Sequence, residues 1–193
     1  MDTPSLSTRI LTDRFLLRPP REDDVRAISA SLRRNAEHLA PRSPEGMTSP
    51  AARSAIRVSA DVARMRSEWR KDLRYTVFAF RKGDERTVLG RLSLQVQRGV
   101  FQNAYLGYWC DVEEQGKGLT TEGVRAMVAF AFGPLRLHRV QAAVMPDNPG
   151  SLRVLEKAGF RREGLAERYL QIAGVWADHV LFATTIEEWT SNG

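Results

Sequence analysis

The sequence predicts an α+β protein: a mixed, mostly antiparallel sheet flanked by helices, in a single domain over residues 1–193. Three features carry that reading. Two pairs of strand-like runs are joined by short turns. The first is "RYTVFAF" and "TVLGRLSLQV" around "RKGDER", and the second is residues 161–172 and 175–185 around Ala173 and Gly174. The helical stretches do not alternate with strands in the regular way of a doubly wound sheet. No interior stretch has the composition of a linker, and the length suffices to bury one core.

Taken in order, "RFLLR" (14–18) reads as an opening strand. "PPREDDVRAISASLRRN" is a first helix, with prolines and acids at its start and arginines at its end, as the helix dipole favours. "LAPRSPEGMTSP" (39–50) is a proline-punctuated loop, and residues 51–73 form a second helix rich in arginine on one side. After the first hairpin comes the strand "NAYLGYWCDV" (103–112). The longest helix follows, "TTEGVRAMVAFAF", with Val124, Met127, Val128 and Ala131 as apolar positions and Gly133–Pro134 as its stop. "LHRVQAAVM" (137–145) is a strand. In "PDNPGSLRVLEKAGF", Asn148 caps a helix, Pro149 suits its first turn and Gly159 ends it.

Net charge is +6, and 25 of the 29 basic residues are arginine. Such a surface favours anionic partners, nucleotides, RNA or acidic peptides, although GC-rich codon usage explains the same arginines. Cys110 is the single cysteine, so no internal disulfide forms. The first twenty residues break every apolar run with a charge or proline, and no run elsewhere suits a bilayer. A cytoplasmic protein without membrane contact is expected.

"EEQGKGLTTEG" (113–123) sets two glycines and a lysine ahead of a helix, an arrangement suited to phosphate. A P-loop is excluded, because Asp111 stands five residues before Gly116 and Gly118 follows the lysine. A dinucleotide fingerprint meets Thr121 where its third glycine belongs. What fits is a strand, then Q-x-x-G-x-[G/A] and a helix, over Gln115, Gly116, Lys117, Gly118, Leu119 and Thr120, with Thr120 departing at the last place. Here the sequence resembles the GNAT acetyltransferases, and "DNPGSLRVLEKAGF" (147–160) resembles that family's later N-x-x-S segment at the spacing it requires. The ending "ERYLQIAGVWADHVLFATT", with Tyr169, Gly174, Trp176, Asp178, His179 and Leu181, is similar to the ribosomal-protein alanine N-acetyltransferases of the RimJ/RimL type. So are "RFLLRPPREDD" and "NAEHLAPRSP", although Arg42 stands where relatives often carry an aromatic.

The resemblance implies a GNAT fold, acetyl-coenzyme A as co-substrate, no metal, and direct acetyl transfer to an amine. The amine it implies is the N-terminus of a protein, possibly ribosomal in origin. The implied coenzyme-binding residues are Cys110, Asp111, Val112, Gln115, Gly116, Lys117, Gly118, Leu119, Thr120, Thr121, Asn148 and Ser151. Main chain near residues 109–112 would meet the thioester oxygen. Leu155 and Ala143 occupy the places of the tyrosine acid and glutamate base of many relatives, which leaves Ser151 as proton donor to the thiolate. Ser151 at a helix start also has a purely structural reading. Glu113, Glu114 and Glu167 are base candidates by charge and location only, and an α-amine, with a pKa near ~8, can react without a dedicated base. Cys110 reads as a buried strand residue. Arginines of the second helix (Arg53, Arg57, Arg64, Arg66, Arg70) and Arg74 suit either ribosomal RNA or plain solvation. The other readings are a small-molecule acetyltransferase and a non-catalytic acyl-coenzyme A or RNA-binding module.

Overall fold

The computed structural model describes residues 3–191. Eight strands form one sheet: β1 (Ile10–Leu11), β2 (Phe15–Arg18), β3 (Arg74–Arg81), β4 (Gly90–Gln97), β5 (Asn103–Cys110), β6 (Arg139–Val144), β7 (Arg161–Ile172) and β8 (Val175–Thr185). Their spatial order is β1-β2-β3-β4-β5-β6-β8-β7. Every neighbouring pair is antiparallel except β5 with β6. The helices are α1 (Val25–Arg34), α2 (Ala36–Leu39), α3 (Ala55–Arg70), α4 (Leu119–Phe132), α5 (Pro149–Lys157) and α6 (Ile186–Ser191). None of them is long and apolar enough to cross a membrane.

Strand alternation divides the core in two. Leu92, Leu94, Ala104 and Leu106 meet Val124, Met127, Val128 and Ala131 of α4 and Leu155 of α5. Phe78, Phe80 and Val88 meet Ile28 of α1 and Val58, Val62 and Met65 of α3, with Trp109 packed against them. The spacing 58, 62, 65 and 69 makes one face of α3, and Trp69 stacks edge-on against Tyr75 with centroids 4.7 Å apart.

Local chemistry shifts several expected boundaries. Glu22–Asp24 form a 3-10 turn before α1, because the buried Asp24 carboxylate grips Arg18 at 2.6 Å and the Arg21 N–H at 2.7 Å. The second helix begins at Ala55 rather than residue 51, where extended Ser54 accepts the N–H of Arg57. The proline-rich segment follows directly on the short helix α2 and opens with a further 3-10 turn, Ala40–Arg42. Strand β1 and helix α6 were not expected, being too short to show periodicity.

Met127 lies wholly buried between α4 and the sheet. Met127→Ala is expected to lower unfolding stability by about 2–5 kcal/mol. Urea titration of both proteins checks this, with the slope of the transition unchanged if the native state alone is affected.

Candidate active site

Strands β5 and β6 pair over only three positions, from Asn103 opposite Arg139 to Tyr105 opposite Gln141. Both then run on unpaired, and a cleft opens between Leu106–Cys110 on one wall and Ala142–Met145 on the other. Register shows which backbone groups face it. The Asp111 N–H donates to the Leu89 carbonyl at 2.8 Å, so Trp109 and Gly107 also bond toward β4. Tyr108 and Cys110 therefore turn their N–H and C=O groups toward the cleft.

The segment after β5 closes one end. Gln115, Gly116, Gly118, Thr120 and Thr121 line the cleft there. Gly116 and Gly118 sit at φ of 72° and 77°, a conformation that side chains disfavour. Helix α4 starts directly after Gly118, so its first N–H groups lack intrahelical acceptors and its positive end meets the same space. This is an anion site of the kind a pyrophosphate fits.

A buried carboxylate holds that loop. Asp111 accepts from Arg34 Nε at 2.9 Å, from the Asn35 amide at 2.9 Å and from the Glu113 N–H at 3.0 Å. Asn35 returns a bond, its Oδ1 accepting the Val112 N–H at 2.8 Å. Burial pushes the Asp111 carboxyl up, but these donors and the Arg34 charge outweigh it and hold the group below the usual carboxylate range. On the far side, Arg14 donates to the Lys117 carbonyl at 2.7 Å and pairs with Glu122 at 2.6 Å.

Helix α5 supplies the opposite wall. Asn148 Oδ1 accepts the Ser151 N–H at 3.2 Å, and Ser151 Oγ lies 2.7 Å from the Tyr108 hydroxyl. Burial pushes the Tyr108 phenol up to about 12, with the Ser151 bond pulling the other way, so it keeps its proton at neutral pH. Two hydroxyls thus bridge the space where the strands part.

Cys110, Gln115, Gly116, Gly118, Thr120, Thr121, Asn148 and Ser151 all line this cleft. Four further residues expected to bind coenzyme do not line it. Asp111 is the clamp, and the Val112 N–H is taken by Asn35. Lys117 reaches toward Glu114 at 3.5 Å, and the Leu119 side chain sits in a small apolar pocket with Phe15, Leu17 and Leu92. Glu113 and Glu167 lie outside the cleft; Glu114 lines it but is paired with Arg81 and Lys117. Burial pushes the Cys110 thiol up against a weaker pull from the Thr120 hydroxyl, which argues against a thiolate nucleophile.

A profile of the acetyltransferase (GNAT) domain matches residues 14–161. The chain belongs to the GNAT acetyltransferase family. Over 183 residues it is 33% identical to the [ribosomal protein uS5]-alanine N-acetyltransferase of Escherichia coli (strain K12), covering 94% of this chain and 93% of that protein. The Bacillus subtilis (strain 168) protein named "Probable N-acetyltransferase YjcK" is 49% identical over 114 residues, 58% of this chain and 62% of its own length. The Mycobacterium smegmatis RimJ, solved in complex with CoA-disulfide, superposes with a TM-score of 0.85 at 32% identity, covering 90% of this chain and 83% of that one. The chain is therefore an N-acetyltransferase with the GNAT fold.

One residue of this GNAT cleft was missed from sequence, and another, His179, was singled out only for its likeness to the RimJ/RimL ending. Tyr108 stands where the expected acid does not, since Leu155 is fully buried in the core. Its signal was strand alternation, which sets it on the face opposite Trp109. His179 is buried in the cleft wall, and its Nδ1 lies 2.9 Å from the Ala177 carbonyl. A carbonyl only accepts, so Nδ1 is the donor in this contact and Nε2 is the ring nitrogen not engaged by it. His138, by contrast, is exposed and meets Glu187. The arginines of α3 are not an open basic stripe. Arg57 and Arg64 pair with Asp61, Arg64 also pairs with Glu68, and Arg66 reaches Glu22.

Because the Asp111 pKa is depressed on folding, its stabilising effect is complete above the unfolded value of about 3.9 and is lost as pH falls toward the folded one. Asp111→Asn is expected to be less stable than the parent at neutral pH. The gap should narrow below pH ~4 in denaturant titrations across pH.

Proposed function

We propose that this enzyme transfers acetyl from acetyl-coenzyme A to a primary amine, the N-terminal α-amino group of a protein, by direct attack without an acyl-enzyme. The observation that carries the reading is the Ser151–Tyr108 hydroxyl pair set across the gap between β5 and β6, beside the glycine loop. Gln115, Gly116, Gly118 and the start of α4 would hold the coenzyme's pyrophosphate, and the Tyr108 and Cys110 main chain would flank its arm. The coenzyme supplies the activated acetyl group. Ser151 donates a proton to the departing sulfur and takes one from Tyr108, whose phenol holds its proton in the resting enzyme and regains it from solvent as the products leave. His179 accepts the proton that the amine sheds, at Nε2. A protein acceptor is supported by the 33% identical relative, which is named for acetylating a ribosomal-protein alanine.

The test measures free thiol released from acetyl-coenzyme A with three acceptors: a peptide with a free Ala or Ser N-terminus, its N-blocked twin carrying a lysine, and small amines. Release with the free N-terminus alone supports the proposal, and release confined to small amines overturns its acceptor. Ser151→Ala and Tyr108→Phe are each expected to lower kcat by about 10²-fold or more, and the double variant by little beyond either, since the hydroxyls act as one relay. His179→Gln should lower kcat by a similar factor, about 10²-fold.

A further inference from the structure

The cleft holds an unpaired cation on its acceptor side. Arg91 of β4 stands directly opposite Trp109 of β5, one strand away from the parted edge. Leu92 and Tyr108, the next pair, belong to the face covered by α4, so Arg91 and Trp109 project from the other face, under α1 and α3. Arg91 lines the same cleft as Ser151 and His179. Its Nε is sealed from solvent and has no hydrogen-bond partner, and no carboxylate pairs with its guanidinium among the described residues. Asp61, the acid whose charge acts on it, is already shared by Arg57 and Arg64.

The surrounding charge deepens the imbalance. Burial, with the charges of Arg74 and Arg64, pushes the Arg91 guanidinium down to about 10, so it stays protonated at neutral pH but is poorly compensated. Arg42, on the same wall, bonds only to the Asp147 carbonyl, at 3.4 Å. Among the described residues Glu114 is the one carboxylate lining the cleft, and Arg81 and Lys117 occupy it. A half-buried cation without a counter-ion is costly, and a ligand bringing the missing charge recovers that cost on binding. The glycine loop lies beyond Cys110 at the end of β5 and has its own donors for phosphate, so the acceptor is the source of the anion that Arg91 lacks.

We infer that Arg91 is an acceptor-recognition residue that takes a carboxylate carried close to the reacting amine. The inference rests on the acetyl-transfer reading above. Two sources offer that chemistry: an Asp or Glu side chain at the second or third position of a peptide N-terminus, and the α-carboxylate of a free amino acid. The first is the one consistent with a protein acceptor. Polyamines, which bring only positive charge, are excluded from such a cleft.

The test compares kcat/KM for matched acceptors: peptides beginning Ala-Asp against Ala-Asn, Ala-Ala-Glu against Ala-Ala-Gln, and free alanine against alaninamide. The parent enzyme should favour a carboxylate over its carboxamide by about tenfold or more in the responsive pair, and Arg91→Gln should bring that ratio near one, with Arg91→Lys between them. The pair that responds identifies the source. Equal rates for every pair in the parent, or a preference that survives Arg91→Gln, overturns the proposal. Calorimetric binding of the same peptides to the coenzyme A complex gives a readout independent of turnover. Should no acceptor be acetylated, the acetyl-transfer reading fails, while tighter binding of Ala-Asp than Ala-Asn that depends on Arg91 still upholds this one. Weakened coenzyme binding in Arg91→Gln with an unchanged acceptor ratio would assign Arg91 to the coenzyme and overturn it.

Discussion

Everything functional in this molecule depends on two parallel strands that stop pairing after three positions. Unpaired backbone in a sheet interior is normally expensive, because each N–H and C=O needs a partner. Here the cost is confined to one face of β5 and one of β6, since their outer edges remain fully bonded to β4 and β8. The gap is held open from both sides by packing: α4 and α5 fill the space on one face, while Trp109 joins the α1 and α3 core on the other. A ligand arm entering the gap meets polar main chain at its walls and a hydroxyl pair at its floor.

Charge is distributed along this gap with a consistent logic. At the loop end, helix dipole and free N–H groups favour an anion, and the buried acid there, Asp111, is neutralised by Arg34 and spent on holding the loop. In the middle lie two hydroxyls and an imidazole, those of Ser151, Tyr108 and His179, suited to moving protons rather than binding ions. At the other end Arg91 and Arg42 return without a carboxylate partner among the described residues. The protein's overall positive charge therefore says little by itself, since most arginines on α3 are matched by neighbouring acids. The informative cation is Arg91, which combines a sealed, unbonded Nε with a place in the cleft.

The fold was legible in the sequence wherever an element was long and strongly patterned. Hairpins, the apolar face of α4 and the Asn148–Gly159 helix all stand where periodicity and capping put them. Boundaries set by single side chains were not legible: the Ser54 cap and the Asp24–Arg18 grip act through tertiary contacts that no local window contains. The site divides the same way. The residue types of the glycine loop mark an anion site, yet which of its members face the cleft depends on Asn35, 77 positions away in sequence, taking the Val112 N–H. Tyr108 and Ser151 are 43 residues apart and meet only because β5 and α5 fold onto opposite walls. Arg91 could not be singled out at all from sequence, because what distinguishes it is the absence of a partner.

The Asp111 clamp has one more consequence. Arg34 and Asn35 end α1 and lead straight into α2, where His38 takes a hydrogen bond from the Gln115 amide at 2.6 Å and Leu39 lines the acceptor side. The glycine loop and the wall formed by α2 are thus tied together by hydrogen bonds that the folded chain makes on its own. Elements tied together in this way have already given up, during folding, the conformational freedom that separate loops would surrender on meeting a ligand.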